Sequence, residues 1–76
     1  MLDELAQIKL HIAAHLEIDV DIIDDDTPIA ELGPDSLDVV ELLAKLEETY
    51  GVYVPDEDIT GLKTPRLVAE YIDRYR

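Results

Sequence analysis

The chain has 76 residues, enough for one small domain and too few for two, so we expect a single domain over residues 1–76. It contains no cysteine, and therefore neither a disulfide nor a thiolate metal site can supplement its apolar core. Its 19 acidic and 6 basic residues give a net charge of -13, whose field repels nucleic-acid backbones and anionic membranes and favours basic protein surfaces. We therefore expect neither nucleic acid nor membrane as a partner.

The N-terminal stretch MLDELAQIKL has neither the cationic start nor the uninterrupted apolar block of a signal peptide. No apolar run in the chain approaches the roughly 20 residues that a membrane-spanning helix requires. We expect a soluble, cytoplasmic protein.

The first predicted element is an amphipathic helix from Asp3 to about Leu16. Apolar residues recur there at spacings of three and four, namely Leu5, Ile8, Ile12 and Leu16. From Glu17 to Pro34 this periodicity fades into a long acidic connection. We expect four apolar residues to anchor the connection to the core: Ile18, Ile22, Ile29 and Leu32. Within it, Thr27-Pro28 is typical of a short turn that Thr caps and Pro begins.

A second helix is predicted after Gly33-Pro34, with Asp35 as its N-cap and Asp38 completing a capping box. It should run to about Tyr50, before Gly51 ends it. One stripe at helical spacing is predicted to be core: Val39, Leu42, Leu43, Leu46 and Tyr50. The remaining surface is acidic with some apolar residues: Leu37, Asp38, Val40, Glu41, Ala44, Glu47 and Glu48.

Two further helices follow in the sequence. The stretch PDEDITG fits a short third helix that Gly61 closes, and Thr64-Pro65 begins a last helix with a Thr cap and Pro in the first position. The buried side of this last helix is predicted to comprise Leu67, Val68, Tyr71, Ile72 and Tyr75. No segment indicates a strand, so the predicted fold is all-α: a small four-helix bundle with a long first loop and a short third helix.

Ser36 is the only serine of the chain and lies between two aspartates at the start of the second helix. It could cap the helix, act as a nucleophile, or be a point of attachment. If Asp35 is the cap, the Ser36 hydroxyl faces solvent at a helix N-terminus, which suits an attached phosphate. A hydrolase nucleophile needs an oriented general base, and the only histidines, His11 and His15, lie on the first helix. Capping and attachment both stay open on this evidence.

The stretch LGPDSLDVVELLAKLEETYGVYVPDE resembles the central segment of acyl carrier proteins, in which Asp-Ser-Leu opens the second helix. The resemblance also takes in the first helix and the closing VAEYID. It implies that Ser36 carries 4′-phosphopantetheine, with Asp35 and Leu37 completing the attachment motif. It further implies a carrier that is not an enzyme and that holds acyl groups as thioesters for fatty acid biosynthesis.

The same resemblance implies a docking surface on the second helix, and we expect the protein to be a monomer. The predicted docking residues are Asp38, Val40, Glu41, Ala44, Glu47 and Glu48. Their partners would be a phosphopantetheinyl transferase and acyl synthases, reductases and transferases with basic docking patches. Two alternatives remain: a carrier for a specialised polyketide, modified-lipid or aminoacyl pathway, and an unmodified acidic helical adaptor.

We expect an attached acyl chain to be sheltered between the second and last helices, where their apolar stripes face each other. The expected lining is Val39, Leu43 and Leu46 against Leu67, Val68 and Ile72.

Two patterns in the sequence are candidate metal sites. His11 and His15 are one helical turn apart but lack a third ligand, so we expect them to flank the packed face. The run DVDIIDDDTPIAE has isoleucine at the fifth position and no glycine at the sixth, and is not an EF-hand loop. We expect no dedicated metal site, while loose binding of divalent cations to this run stays open.

Overall fold

The first helix, α1, spans Glu4–Leu16 in the computed structural model, which describes residues 4–33 and 35–75 and, for Ser36, the backbone alone. Its buried residues are Ile8, Ile12 and Ala13, so the predicted apolar face is confirmed at its centre. Glu17 follows in the left-handed region with φ 57°, and the Ile18 N–H donates to the Ala13 carbonyl at 3.0 Å. This backbone arrangement ends α1 without a glycine.

The connection after α1 contains two short 3₁₀ turns, Val20–Ile22 and Ile29–Leu32. The first is capped by Asp19, whose Oδ1 accepts from the Asp21 N–H at 2.9 Å. Ile29 is buried as predicted, but the prediction for Ile22 is wrong because that side chain is 57% exposed and Ile23 is buried instead. A 3₁₀ turn repeats every three residues, so the inward position differs from the one that helical spacing suggests.

The predicted cap at Thr27 is also wrong. The second 3₁₀ turn begins at Ile29 after Pro28, without a side-chain cap. The Thr27 hydroxyl instead accepts from the Asp24 N–H at 3.1 Å, so it closes the preceding loop rather than opening a helix.

The second helix, α2, spans Ser36–Tyr50 and confirms its predicted ends. Asp35 Oδ1 accepts from the Asp38 N–H at 2.9 Å, and Asp38 Oδ2 accepts from the Asp35 N–H at 3.2 Å, which completes the capping box. Gly51 ends the helix with φ 70°, a conformation that favours glycine. Of the predicted stripe, Leu42, Leu43 and Leu46 are buried, whereas Val39 and Tyr50 are partly buried.

The segment between α2 and the third helix alternates between core and solvent. Val52 and Val54 are buried, while Tyr53 between them is 74% exposed, as expected for extended backbone. The third helix, α3, spans only Asp56–Ile59.

The last helix, α4, spans Pro65–Tyr75 and confirms the predicted cap, since the Leu67 N–H donates to Thr64 Oγ1 at 3.2 Å. Its buried residues are Pro65, Val68, Ala69 and Ile72. The prediction that Leu67 and Tyr75 are buried is wrong, because they are 40% and 57% exposed. The inward stripe starts at Pro65 and recurs at three, four and seven residues, which turns those two side chains outward.

α1 packs against both α4 and α2, and one core cluster contains buried residues from α1, the first loop, α2, the segment after α2 and α4. The described residues form four α-helices and no strand, which confirms the predicted small bundle with a long first loop and a short third helix. No helix among residues 4–33 and 35–75 is both long and apolar enough to cross a bilayer.

One side-chain hydrogen bond connects the short α3 to α4. The Tyr71 hydroxyl donates to Asp58 Oδ2 at 2.8 Å. This hydrogen bond, together with partial burial, raises the pKa of Tyr71 from its usual value of 10.0 to about 12. Because the folded state holds this proton more tightly, the stabilisation is complete below pH 10 and is lost as pH rises towards 12.

We therefore expect Tyr71→Phe to lower the melting temperature at neutral pH and to reduce the loss of stability between pH 10 and 12. Tyr53→Phe is the matched control, because Tyr53 is largely exposed. Thermal unfolding of both variants against pH checks this. Identical alkaline profiles for the two variants would contradict a role for the Tyr71–Asp58 bond.

Candidate functional site

Ser36 is the first residue of α2, directly after the cap that Asp35 provides. Because the Asp35 carboxylate already accepts from the Asp38 N–H, the helix does not need the Ser36 hydroxyl as a cap. This removes the capping interpretation that the sequence left open. The predicted orientation of the hydroxyl towards solvent lies outside the described part of the chain.

The residues on either side of Ser36 lie at the surface. Asp35 is exposed, and Leu37 is 64% exposed although it is a large apolar residue. The Leu37 side chain is therefore accessible to another molecule. Their assignment to an attachment motif stays a prediction.

An apolar cavity of about 440 Å³ lies beside the start of α2. Seven apolar residues line it: Pro28, Ile29, Ala30, Val39, Val40, Ile59 and Leu62. Three polar residues complete the lining: Asp35, Thr60 and Lys63. Of these, Asp35 is the residue directly before Ser36 in the sequence.

Sheltering of an acyl chain between α2 and α4 stays a prediction. Leu43, Leu46, Val68 and Ile72 are all buried in the core, and Leu67 faces outward. The apolar cavity has another position, between α2, the first loop and the stretch from Ile59 to Lys63.

The predicted docking residues fall into two groups on α2. Glu41, Ala44 and Glu48 are exposed, and Val40 is 46% exposed. Two carboxylates also have contacts within the chain: Asp38 closes the capping box, and Glu47 Oε2 accepts from the Val54 N–H at 3.2 Å. Glu41 and Glu48 are therefore better placed than Asp38 and Glu47 to meet a partner, although docking itself stays a prediction.

Sequence reasoning missed most of the cavity lining outside α2. Ala30, Ile59 and Leu62 come from three separate segments, and no periodicity connects them. The available indication was Ile59, the one apolar residue of a four-residue helix that is otherwise acidic.

The two histidines of α1 are partly buried in the packed structure. The ring of His11 contacts that of Tyr50 edge to face, with centroids 5.8 Å apart. His11 and His15 are both partly buried, which agrees with the expected position at the flank of the packed face. Among the described residues, no group of three or more potential ligands is arranged to hold a metal ion.

Comparison with known proteins matches residues 6–72 to the family described as "Phosphopantetheine attachment site". The chain is 45% identical over 76 residues to the acyl carrier protein of Clostridium perfringens strain SM101, covering 99% of this chain and 96% of that protein. It is 32% identical over 77 residues to that of Zymomonas mobilis, covering 100% and 99% of the two proteins. The acyl carrier protein of Campylobacter jejuni subsp. doylei is 43% identical over 70 residues, 91% of each chain.

These matches cover almost the whole chain and take in the helical bundle, the start of α2 and the cavity beside it. They agree with the resemblance seen in the sequence. The chain belongs to the acyl carrier protein family, so it is a carrier with a 4′-phosphopantetheine prosthetic group and not a catalyst.

Proposed function

We propose that Ser36 is the attachment residue and that residues 1–76 act as one carrier domain for the acyl intermediates of fatty acid biosynthesis. The observation that carries this proposal is the position of Ser36, which starts α2 after a complete Asp35–Asp38 capping box. Asp35, the residue directly before Ser36 in the sequence, also lines the apolar cavity.

The residues around Ser36 fit a phosphodiester-linked arm. α2 has 15 residues, and its N-terminus offers the positive end of a helix dipole to the phosphate. When attached, the arm supplies a terminal thiol that holds acyl groups as thioesters. The exposed Leu37 offers an apolar contact on the other side of Ser36.

The composition of the cavity supports a hydrocarbon cargo. Seven of its lining residues are apolar, and only Asp35, Thr60 and Lys63 are polar. An alkyl chain gains stability from burial there, whereas the polar groups of a polyketide or an aminoacyl cargo would have few partners. This supports fatty acid synthesis over the specialised pathways.

The acidic surface of α2 supports docking to basic partners. Glu41 and Glu48 are exposed beside Val40 and Ala44. Glu41 also lies in the segment between Leu10 and Ala44, which contains no Lys or Arg. We propose that a phosphopantetheinyl transferase and acyl synthases, reductases and transferases bind here. The charges should act mainly on the encounter rate and the apolar centre on residence time. A cytoplasmic location remains a prediction.

We expect Glu41→Lys to weaken binding to a transferase or synthase about tenfold at low salt, because it reverses a charge at the centre of the docking surface. Glu70→Lys on α4 makes the same change in net charge at an exposed position and is the matched control. Affinity measured against salt concentration separates the two variants. Equal weakening would mean that only net charge matters and would rule out this docking surface.

The pathway can be tested by reconstitution. The phosphopantetheinylated chain is mixed with purified bacterial fatty acid synthesis enzymes, malonyl groups and reductant, and the acyl products on the chain are identified by mass. We expect stepwise two-carbon extension, with none on Ser36→Ala. Loading by an aminoacyl-activating enzyme or a polyketide synthase without extension by the fatty acid enzymes would favour a specialised carrier. Failure of a transferase to modify the chain would favour the adaptor.

A further inference from the structure

A cluster of ion pairs links the first loop to α1 and α4. Lys9 Nζ lies 2.7 Å from Asp25 Oδ1. The Arg66 guanidinium donates from Nε to Asp26 Oδ1 at 2.9 Å and from its Nη2 to Asp26 Oδ2 at 3.3 Å and to Asp25 Oδ2 at 3.4 Å. Arg66 therefore makes two hydrogen bonds to the Asp26 carboxylate, while the Asp25 carboxylate interacts with both Arg66 and Lys9.

Two backbone hydrogen bonds run beside these ion pairs. The Arg66 N–H donates to the Asp25 carbonyl at 2.9 Å, and the Ile29 N–H donates to the Lys63 carbonyl at 2.8 Å. Residues 25–29 of the loop are thus joined to residues 63–66 at both ends. We call these two segments and their bonds the loop–α4 seam.

The loop–α4 seam shares residues with the wall of the apolar cavity. Ile29 and Lys63, which form one of its backbone bonds, both line the cavity. Their neighbours Pro28, Ala30 and Leu62 line it as well. Separation of the two segments would therefore widen the cavity between the loop and the stretch after α3.

We propose that the loop–α4 seam sets the length of acyl chain that the cavity shelters, with Arg66 as the positioning residue that holds the two segments together. This inference rests on the proposed function, because it takes the acyl chain as the occupant of the cavity. Arg66 does not touch the cargo; it acts through the Ile29–Lys63 wall.

Single exposed ion pairs contribute little to stability, but this cluster differs from such pairs in two respects. Its geometry is bidentate and shared, which fixes orientation as well as charge. It also lies against three consecutive carboxylates, Asp24, Asp25 and Asp26, whose repulsion Lys9 and Arg66 offset. The hydrogen bond from Arg66 holds the pKa of Asp26 below its usual value, which supports the pairing.

The test uses the full chain loaded with saturated acyl groups of increasing length by a promiscuous transferase and acyl-coenzyme A. For each length, the melting temperature of the acylated chain is compared with that of the chain bearing the free thiol, since a sheltered chain stabilises only the folded state. The variants are Arg66→Gln, Asp26→Asn and the conservative Arg66→Lys. Arg74→Gln removes a charge at an exposed position of the same helix and is the matched control.

In the unmutated chain we expect the melting-temperature increment to rise with acyl length to a maximum. In Arg66→Gln and Asp26→Asn this maximum should move towards longer chains by about two methylenes, because each further buried methylene adds stability. Exchange of the Ile29 amide hydrogen should become about tenfold faster in these two variants. Arg66→Lys should be intermediate, and Arg74→Gln should match the unmutated chain.

A uniformly lower melting temperature with an unchanged maximum would show that Arg66 is only structural and would overturn the inference, while the proposed function would stand. If the melting temperature of the unmutated chain does not change with acyl length, the cavity does not shelter the acyl chain. That result would overturn the proposed shelter and this inference with it.

Discussion

Substitution of Ser36 by alanine is expected to abolish modification by a phosphopantetheinyl transferase. The reason is that the substitution removes the only serine hydroxyl of the chain. The fold should survive, because the α2 cap comes from Asp35. Intact mass after incubation with coenzyme A and a promiscuous transferase measures the effect, and far-ultraviolet circular dichroism checks the helices.

Thr49→Ala is the control for this experiment. It removes another hydroxyl from the same helix, one that donates to the Lys45 carbonyl at 2.8 Å, and should leave modification unchanged. Modification of Ser36→Ala to the same extent as the unmutated chain would disprove the assignment of Ser36.

The second large effect is expected in the core. Leu46 is 2% exposed, and Leu46→Ala should lower the free energy of unfolding by about 2–5 kcal/mol through lost burial and a residual cavity. A domain of this size has a total stability of only about 4–11 kcal/mol, so the variant should be largely unfolded by mild urea. Urea titration of the form without an arm measures the loss.

Leu67→Ala is the matched control, since Leu67 is 40% exposed and should cost well under half as much. Equal losses at the two positions would contradict the outward position of Leu67 on α4.

Features with local causes were predictable from the sequence. Asp35, Asp38 and Gly51 define the ends of α2 through capping and a left-handed C-cap, and each depends on residues within four positions. Thr64 and Pro65 define the start of α4 in the same way. The attachment motif is likewise a contiguous stretch, so it could be recognised before any tertiary contact was known.

Features that depend on distant segments were not predictable. Ile23 rather than Ile22 is buried because a 3₁₀ turn changes the inward position. The cavity combines a loop, α2 and the stretch after α3, and Arg66 pairs with a carboxylate 40 positions earlier in the chain. Neither spacing nor charge pattern specifies such pairings, because they follow from how the helices pack.

The proposed state of the protein in the cell is a phosphopantetheine arm on Ser36, loaded with acyl intermediates of fatty acid biosynthesis. It is tested most directly by the intact mass and fragmentation spectrum of the protein purified from the cells that make it. We predict one phosphopantetheine per chain, located at Ser36, with a fraction of chains bearing saturated acyl groups that differ in steps of two carbons. A chain from those cells with an unmodified Ser36, or one whose arm carries only aminoacyl or polyketide groups, would contradict the account.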